Sequence, residues 1–272
     1  MKKVIITDLD GTILPHKGAI SAATLKSFRL AGEKGCLRII ATGRNLYSAK
    51  QVLPPNFPID YLIFSSGAGV LRWKDQKMIF TKQLTEKEAR EIANQLWDYR
   101  INFTIQREIP DNHLFYYTDL YPVHEDYKRR LACYAPFGSL IQTPEEIVGS
   151  ATQFVIILDG SQLRLLEEMR QRLSAYSVVR STSPLDNQAI WLEIFASGIN
   201  KGNALAWLLK KWNLSFEHCA GLGNDYNDID FLNRCKKAYL VANSPTNLHP
   251  HYKLVKKDQE EGFAEFVSQV LL

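Results

Sequence analysis

Asp8-Leu9-Asp10-Gly11-Thr12 follows directly on the apolar residues Val4, Ile5 and Ile6. Side chains alternate along a strand, so two acids two positions apart leave its end pointing the same way, and the glycine that follows lets the backbone turn closely around a small anion. Two such carboxylates repel one another unless a cation shares them. Mg²⁺ suits the role, because it takes oxygen ligands, commonly one or two carboxylates with a substrate phosphate, and keeps waters elsewhere. Read alone, the same segment is also an acidic turn with a helix-capping Asp.

Three further segments carry polar groups at strand ends or helix starts. Ala41-Thr42-Gly43-Arg44-Asn45 places a hydroxyl and a glycine at a helix entrance, which is either a phosphate cradle or a plain strand-to-helix turn. Lys201, in Ile199-Asn200-Lys201-Gly202-Asn203, opens a helix, where an isolated lysine is ordinarily solvated. Gly221-Leu222-Gly223-Asn224-Asp225-Tyr226-Asn227-Asp228 brings two acids and two amides to another strand end.

The elements that must position these residues alternate in type. Short apolar runs at 4–7, 37–41 and 61–64 are separated by helical patterns at 22–34 and 46–53, a parallel α/β signature. Residues 202–212, 219–222, 228–233, 238–242 and a closing helix through Phe263, Phe266 and Val270 repeat it, so both ends belong to one sheet.

From about residue 82 to 188 the texture changes. Thr85 and Glu88 have capping-box spacing at a helix start. Strand-like stretches follow at 101–106, 114–117 and 153–158, then an amphipathic helix at 163–173 and a returning strand at 189–195. This reads as a second α/β unit inserted into the first, able to hinge over the carboxyl ends of the parent strands.

The composition excludes several classes. A chain of 272 residues with 46% hydrophobic and 23% charged residues is long enough for a substantial core, which rules out disorder and a disulfide-stapled miniature. The formal charge of +4 has no long basic block behind it, so nucleic acid is not the expected partner. No run approaches the roughly 20 apolar residues of a membrane span, and the apolar start is too short for a signal peptide, so the expectation is a cytoplasmic protein. Cys36, Cys133, Cys219 and Cys235 are far apart in sequence and read as reduced thiols, and the six histidines lack metal-site spacing.

Taken in order, these motifs resemble the haloacid dehalogenase superfamily of phosphotransferases, in its Cof-type branch, along essentially the whole chain. Leu192-Glu193-Ile194, Val241-Ala242-Asn243 and Glu261-Gly262 are smaller echoes of that branch. The resemblance implies an α/β protein: a Rossmann-like parallel-sheet catalytic core of residues 1–81 and 189–272, with an inserted α/β cap, 82–188, that selects substrate. It implies Asp8 as the nucleophile that becomes an aspartyl phosphate, and Asp10 as the acid for the leaving group and then the base for water. Thr42 and Lys201 complete the catalytic set. Gly11, Thr12, Gly43, Arg44 and Ser66 are the implied substrate contacts. Mg²⁺ is implied on Asp8, Asp10, Asn224 and Asp225, with Asn227 and Asp228 orienting the ligands.

The sequence departs from the branch at two places. Asn224 stands where the family's late motif has Asp, which removes one negative charge from the metal shell, and Ser65-Ser66-Gly67-Ala68 replaces the usual Asn-Gly-Ala. The expected activity is Mg²⁺-dependent hydrolysis of small phosphate monoesters, such as sugar phosphates or a phosphorylated cofactor, by a monomer or weak homodimer. Its rivals are a phosphosugar mutase and a catalytically weakened phosphometabolite-binding protein. Arg107, Tyr116, Tyr117, Arg180 and Asn187 of the insert are polar or amphipathic groups near strands, with nothing in the sequence to single one out.

Overall fold

The structure is a computed structural model and describes residues 3–16, 18–159, 161–182 and 189–271. Asn187 lies outside them. In chain order the elements are β1 (Val4–Thr7), α1 (Ala22–Glu33), β2 (Leu37–Ala41), α2 (Leu46–Val52), β3 (Tyr61–Phe64), β4 (Gly69–Arg72), β5 (Lys77–Thr81), α3 (Glu86–Asp98), β6 (Thr104–Arg107) and β7 (Phe115–Tyr117). Then come α4 (Glu125–Cys133), β8 (Gly138–Leu140), β9 (Ala151–Leu158), α5 (Leu163–Arg172), β10 (Ser177–Thr182), β11 (Ile190–Phe195) and α6 (Lys201–Lys211). The chain closes with β12 (Cys219–Gly223), α7 (Ile229–Leu232), β13 (Lys237–Val241), β14 (Lys253–Val255) and α8 (Gly262–Leu271).

Two compact units result, one of Met1–Arg44, Ser48–Phe80 and Asn200–Leu272, the other of Asn45–Tyr47 and Thr81–Ile199. The first holds a sheet in the order β14-β13-β12-β1-β2-β3-β4-β5. From β14 to β3 every pairing is parallel, and β4 returns antiparallel on β3. Central β1 is buried at all four positions, as a strand covered on both faces must be, which is why it reads as an unbroken apolar run. Val4 and Ile6 share a core with Leu205, Leu208 and Leu209 of α6, while Ile5 faces the opposite side by alternation. Phe28 of α1 and Phe263 of α8 pack with ring centroids 4.3 Å apart and planes tilted by 30°, joining the two helices.

Parallel strands end on one edge, and β1 lies between β12 and β2, so the chain leaves β1 beside strands that connect in opposite directions. Such a switch point opens a crevice at the carboxyl ends, where doubly wound sheets bind ligands. The motifs at residues 8–12, 42–45 and 224–228 all follow strands of this group.

The second unit is a six-stranded sheet in the order β10-β11-β9-β6-β7-β8. Thr85 and Glu88 form the capping box of α3. Tyr127 of α4 packs with Val155, Ile157 and Trp191 on one sheet face, and the Trp191 indole donates to Asp126 Oδ2 at 2.7 Å.

One expected boundary moves. Residues 189–199 do not return to the first sheet: β11 pairs antiparallel with both β9 and β10 throughout its length, so the second crossing falls at Ile199 and Asn200. An apolar strand has no label for which sheet it joins, and only the pairing decides. Cys36, Cys133, Cys219 and Cys235 are all free. Among the described residues no helix is long and apolar enough to cross a membrane.

Candidate active site

Asp8 is the first residue beyond β1, and its backbone N–H donates to the Leu222 carbonyl of β12 at 3.0 Å, so the strand ladder itself aims it. It is 5% exposed. Its Oδ1 accepts from Lys201 Nζ at 2.6 Å, and its Oδ2 accepts from the Thr12 hydroxyl at 3.2 Å. Beyond Asp10 the chain folds back so tightly that the N–H groups of Thr12, Ile13 and Leu14 all converge on the Leu9 carbonyl. Gly11 makes this possible at φ +70°, and a Cβ there would stand 2.5 Å from Asn224 Nδ2. That close approach puts the late loop against the opening one.

Lys201 is not the solvated lysine that its position alone would suggest. Asn200 caps α6 by accepting from the Asn203 N–H at 2.7 Å, and Gly202 lets α6 approach so closely that a Cβ would lie 2.6 Å from the Asp230 carbonyl. The lysine side chain is thereby enclosed. Its Nζ is shared by Asp8 at 2.6 Å, Asp228 Oδ1 at 2.7 Å and Asn227 Oδ1 at 3.3 Å.

Asp228 is fully buried, and its second oxygen accepts from the backbone N–H groups of Asn224, at 2.8 Å, and Asp225, at 3.1 Å. One carboxylate thus fixes both the lysine and the loop. Gly223 is required beside it, since a Cβ there would fall 2.7 Å from the Asp228 side chain.

Burial, partly offset by Lys201, raises the Asp8 carboxyl to about 7, with Asp228 and Asp10 pushing the same way as burial. For Lys201, burial disfavours the ammonium, but Asp228 and Asp8 together outweigh it and move the group above its ordinary value. The lysine stays charged. Two buried carboxylates on one ammonium leave the pair short of positive charge, and this is the condition under which a cation is held.

Thr42 is the first residue beyond β2 and has no exposed surface, its N–H on the Ile63 carbonyl at 2.9 Å and its hydroxyl accepting from the Arg44 N–H at 3.1 Å. Gly43 lies in the same turn. Ser66 is buried at φ +52°, directly after Ser65 at φ +46°, and donates its N–H to the Thr42 carbonyl at 3.0 Å. Left-handed backbone disfavours serine relative to Asn or Gly by about 1 kcal/mol or more per residue, so this turn is held by its surroundings. Arg44, expected at a substrate, is engaged with Asp10. The sequence gives no sign of that pairing, because nothing in the spacing of residues 10 and 44 marks them as neighbours. In the second unit, the Arg107 guanidinium sits over the Tyr116 ring at 5.9 Å.

The oxygens gathered at this sheet edge include the Asp8 carboxylate, engaged by Lys201 and Thr12, and the Asp228 carboxylate, whereas Asn224 turns its Nδ2 toward Gly11 and the Asp225 side chain caps the turn at Asp228. Among the described residues no three His, Cys, Asp or Glu side chains cluster as a cage. Oxygen groups of this kind suit a hard cation that keeps its waters and takes one or two carboxylates.

A sequence profile of the haloacid dehalogenase-like hydrolases matches residues 5–267. The chain belongs to that family. Among curated relatives, a 5-amino-6-(5-phospho-D-ribitylamino)uracil phosphatase of Bacillus subtilis (strain 168) is 25% identical over 253 residues, 89% of this chain and 84% of that protein. An HMP-PP phosphatase of Escherichia coli O1:K1 / APEC is 22% identical over 278 residues, covering 100% of this chain and 96% of its own. Among solved structures, a subclass IIB sugar phosphatase of the superfamily superposes with a TM-score of 0.76 at 16% identity, covering 99% of both chains. The fold is that of the haloacid dehalogenase-like hydrolases.

Proposed function

We propose that this protein hydrolyses phosphate monoesters of small metabolites, sugar phosphates or phosphorylated heterocycles, through a transient phosphoryl ester on Asp8. The names of the relatives support the substrate class. The observation that carries the reading is the placement of Asp8, buried at the switch point with one oxygen on a lysine and the other on a threonine hydroxyl.

In the first step Asp8 attacks phosphorus, the bond to the leaving oxygen breaks, and Asp10 gives that oxygen a proton. In the second, Asp10 takes a proton from water as the water oxygen attacks the same phosphorus, releasing phosphate and restoring Asp8. Lys201 neutralises Asp8 and the incoming phosphoryl oxygens, and the Thr42 hydroxyl and the N–H groups after Asp8 hold those oxygens. Asp8, the Asp10 carbonyl, Asn224 and Asp225 would hold Mg²⁺, which when bound supplies the positive charge that keeps Asp8 ionised and draws the phosphate dianion in. Asp228 fixes the loop bearing the last two. The second unit, Thr81–Ile199, would read the leaving group, since the phosphate itself is common to all candidates.

The test is phosphate release from p-nitrophenyl phosphate and a panel of metabolite monoesters, with Mg²⁺ or with chelator, beside Asp8→Asn. Turnover that needs Mg²⁺ and disappears in the variant supports the reading, whereas undiminished turnover in Asp8→Asn removes the nucleophile. Asn224 favours one other reading, a weakened enzyme that chiefly binds its phosphometabolite; binding of a phosphate ester without release would select it.

A further inference from the structure

Gly11 is held on three sides. Its N–H donates to the Leu14 carbonyl at 2.8 Å, its missing side chain makes room for Asn224, and its carbonyl accepts from Asn243 Nδ2 at 2.8 Å. The third contact comes from a residue outside the loops that carry the acids and the lysine. Asn243 lies two positions beyond β13 on a firm mount: the N–H of Ala242 bonds to Val255, that of Ser244 to Val241, both at 3.0 Å, and Asn243 Oδ1 accepts from the Asp258 N–H at 3.0 Å.

A peptide group is planar, so fixing the direction of the Gly11 carbonyl also fixes the N–H of Thr12 on the opposite side. Thr12 is the residue whose hydroxyl donates to Asp8 Oδ2. The path from Asn243 to the proposed nucleophile is therefore one amide hydrogen bond, one rigid peptide and one hydroxyl. The Thr12 N–H itself reaches the Leu9 carbonyl at only 3.4 Å, so the turn's own bond at this point is long and the external amide supplies the orientation.

We propose that Asn243 is a positioning residue for the nucleophile loop, setting the Gly11–Thr12 peptide so that the Thr12 hydroxyl meets the Asp8 carboxylate in register. The inference rests on the reading of Asp8 as nucleophile. Asn243→Asp is the sharpest variant: it keeps shape and the acceptor for Asp258, but removes the donor and turns a carboxylate toward the Gly11 carbonyl. Asn243→Ala removes both contacts and serves if the first variant folds poorly.

The expected result is a fall in kcat on p-nitrophenyl phosphate of about tenfold to a hundredfold, as for a small misplacement of reacting groups, with KM nearly unchanged. Alongside it, amide hydrogen exchange of residues 10–14 should quicken in the metal-free variant while the thermal midpoint stays close to that of the unmodified protein. Unchanged kcat in a folded variant overturns the proposal. So does a loss of activity that merely follows a lowered midpoint with exchange at 10–14 unaltered, since Asn243 would then be a structural residue only. If the unmodified protein releases no phosphate at all, the reading of function fails, and the exchange measurement alone still decides whether Asn243 orders the loop.

Discussion

Arg44 lays its guanidinium fork across both carboxylate oxygens of Asp10, with Nε 3.0 Å from Oδ1 and 2.9 Å from Oδ2, and Nη2 2.7 Å from Oδ1. Arg44 Nη1 is steadied by the Ser48 hydroxyl at 3.1 Å. A planar fork on a carboxylate fixes its plane as well as its position, which an ammonium cannot do. Asp10, the proposed acid and base, is thus aligned by a neighbour from the next strand end.

Removing that fork should harm turnover more than stability. The two side chains are 28% and 35% exposed, a setting in which an ion pair contributes about 1 kcal/mol or less. Arg44→Ala is expected to lower kcat/KM by roughly tenfold through loss of alignment, and Arg44→Lys should recover little of it. Steady-state kinetics with a thermal melt check this. Lysine restoring full activity would show that charge alone suffices.

The Asp8 carboxyl, raised to about 7 chiefly by burial, makes a signed prediction for the protein in chelator. The unfolded chain holds this proton only below about pH 4, so the fold gains stability from it at low pH and loses that gain as pH rises through about 7. Asp8→Asn has no such proton. The stability difference in favour of the variant should widen between about pH 4 and 7 and then level off, by at most about 4 kcal/mol. Denaturant melts of both proteins across that range give the difference directly; a constant gap would mean that Asp8 titrates as an ordinary exposed acid.

Lys201 separates two buried carboxylates, so its loss should be among the most damaging single changes. Lys201→Met leaves Asp8 and Asp228 facing one another without an ammonium, and removing one partner of a buried ionic group typically costs about 3–5 kcal/mol. Combining it with Asp8→Asn should return part of that stability, because one of the stranded charges is gone. Additive destabilisation in the double variant would refute the shared-cation account.

Much of this arrangement was legible in the chain. Burial makes β1, β2 and β12 short runs dominated by apolar residues, interrupted in β2 by Arg38, and the polar residues that follow each run fall together at one sheet edge. The burial of Lys201 and its sharing with Asp228 were not legible, because the closeness of α6 to the Asp230 backbone depends on Gly202 and on packing far along the chain. Helix α4 escaped notice for a local reason: its sequence is strongly polar and its cap is His124, whose Nδ1 accepts from the Asp126 N–H, in place of a residue that usually begins helices. Strand β11 was visible as a strand, yet its sheet was not, since the apolar pattern of Ile190–Phe195 serves either sheet equally. The Arg44 fork and the Asn243 contact join residues distant in sequence, and no periodicity encodes them.

Asn224 gives the last prediction. Its side chain lies against Gly11 through Nδ2, where the opening and late loops meet, and it is neutral where an aspartate would add a negative charge. A carboxylate binds a hard cation more strongly than an amide oxygen does, so Asn224→Asp should lower the Mg²⁺ concentration for half-maximal activity by about tenfold. Without metal the effect reverses sign: another negative charge beside Asp8 and Asp228 adds repulsion, and the chelated variant should melt at a lower temperature than the unmodified protein. A Mg²⁺ titration of phosphate release and a melt in chelator therefore move in opposite directions from one substitution. If both stay where they were, Asn224 lies outside the metal's reach, and the ligand on the late loop must be Asp225 alone.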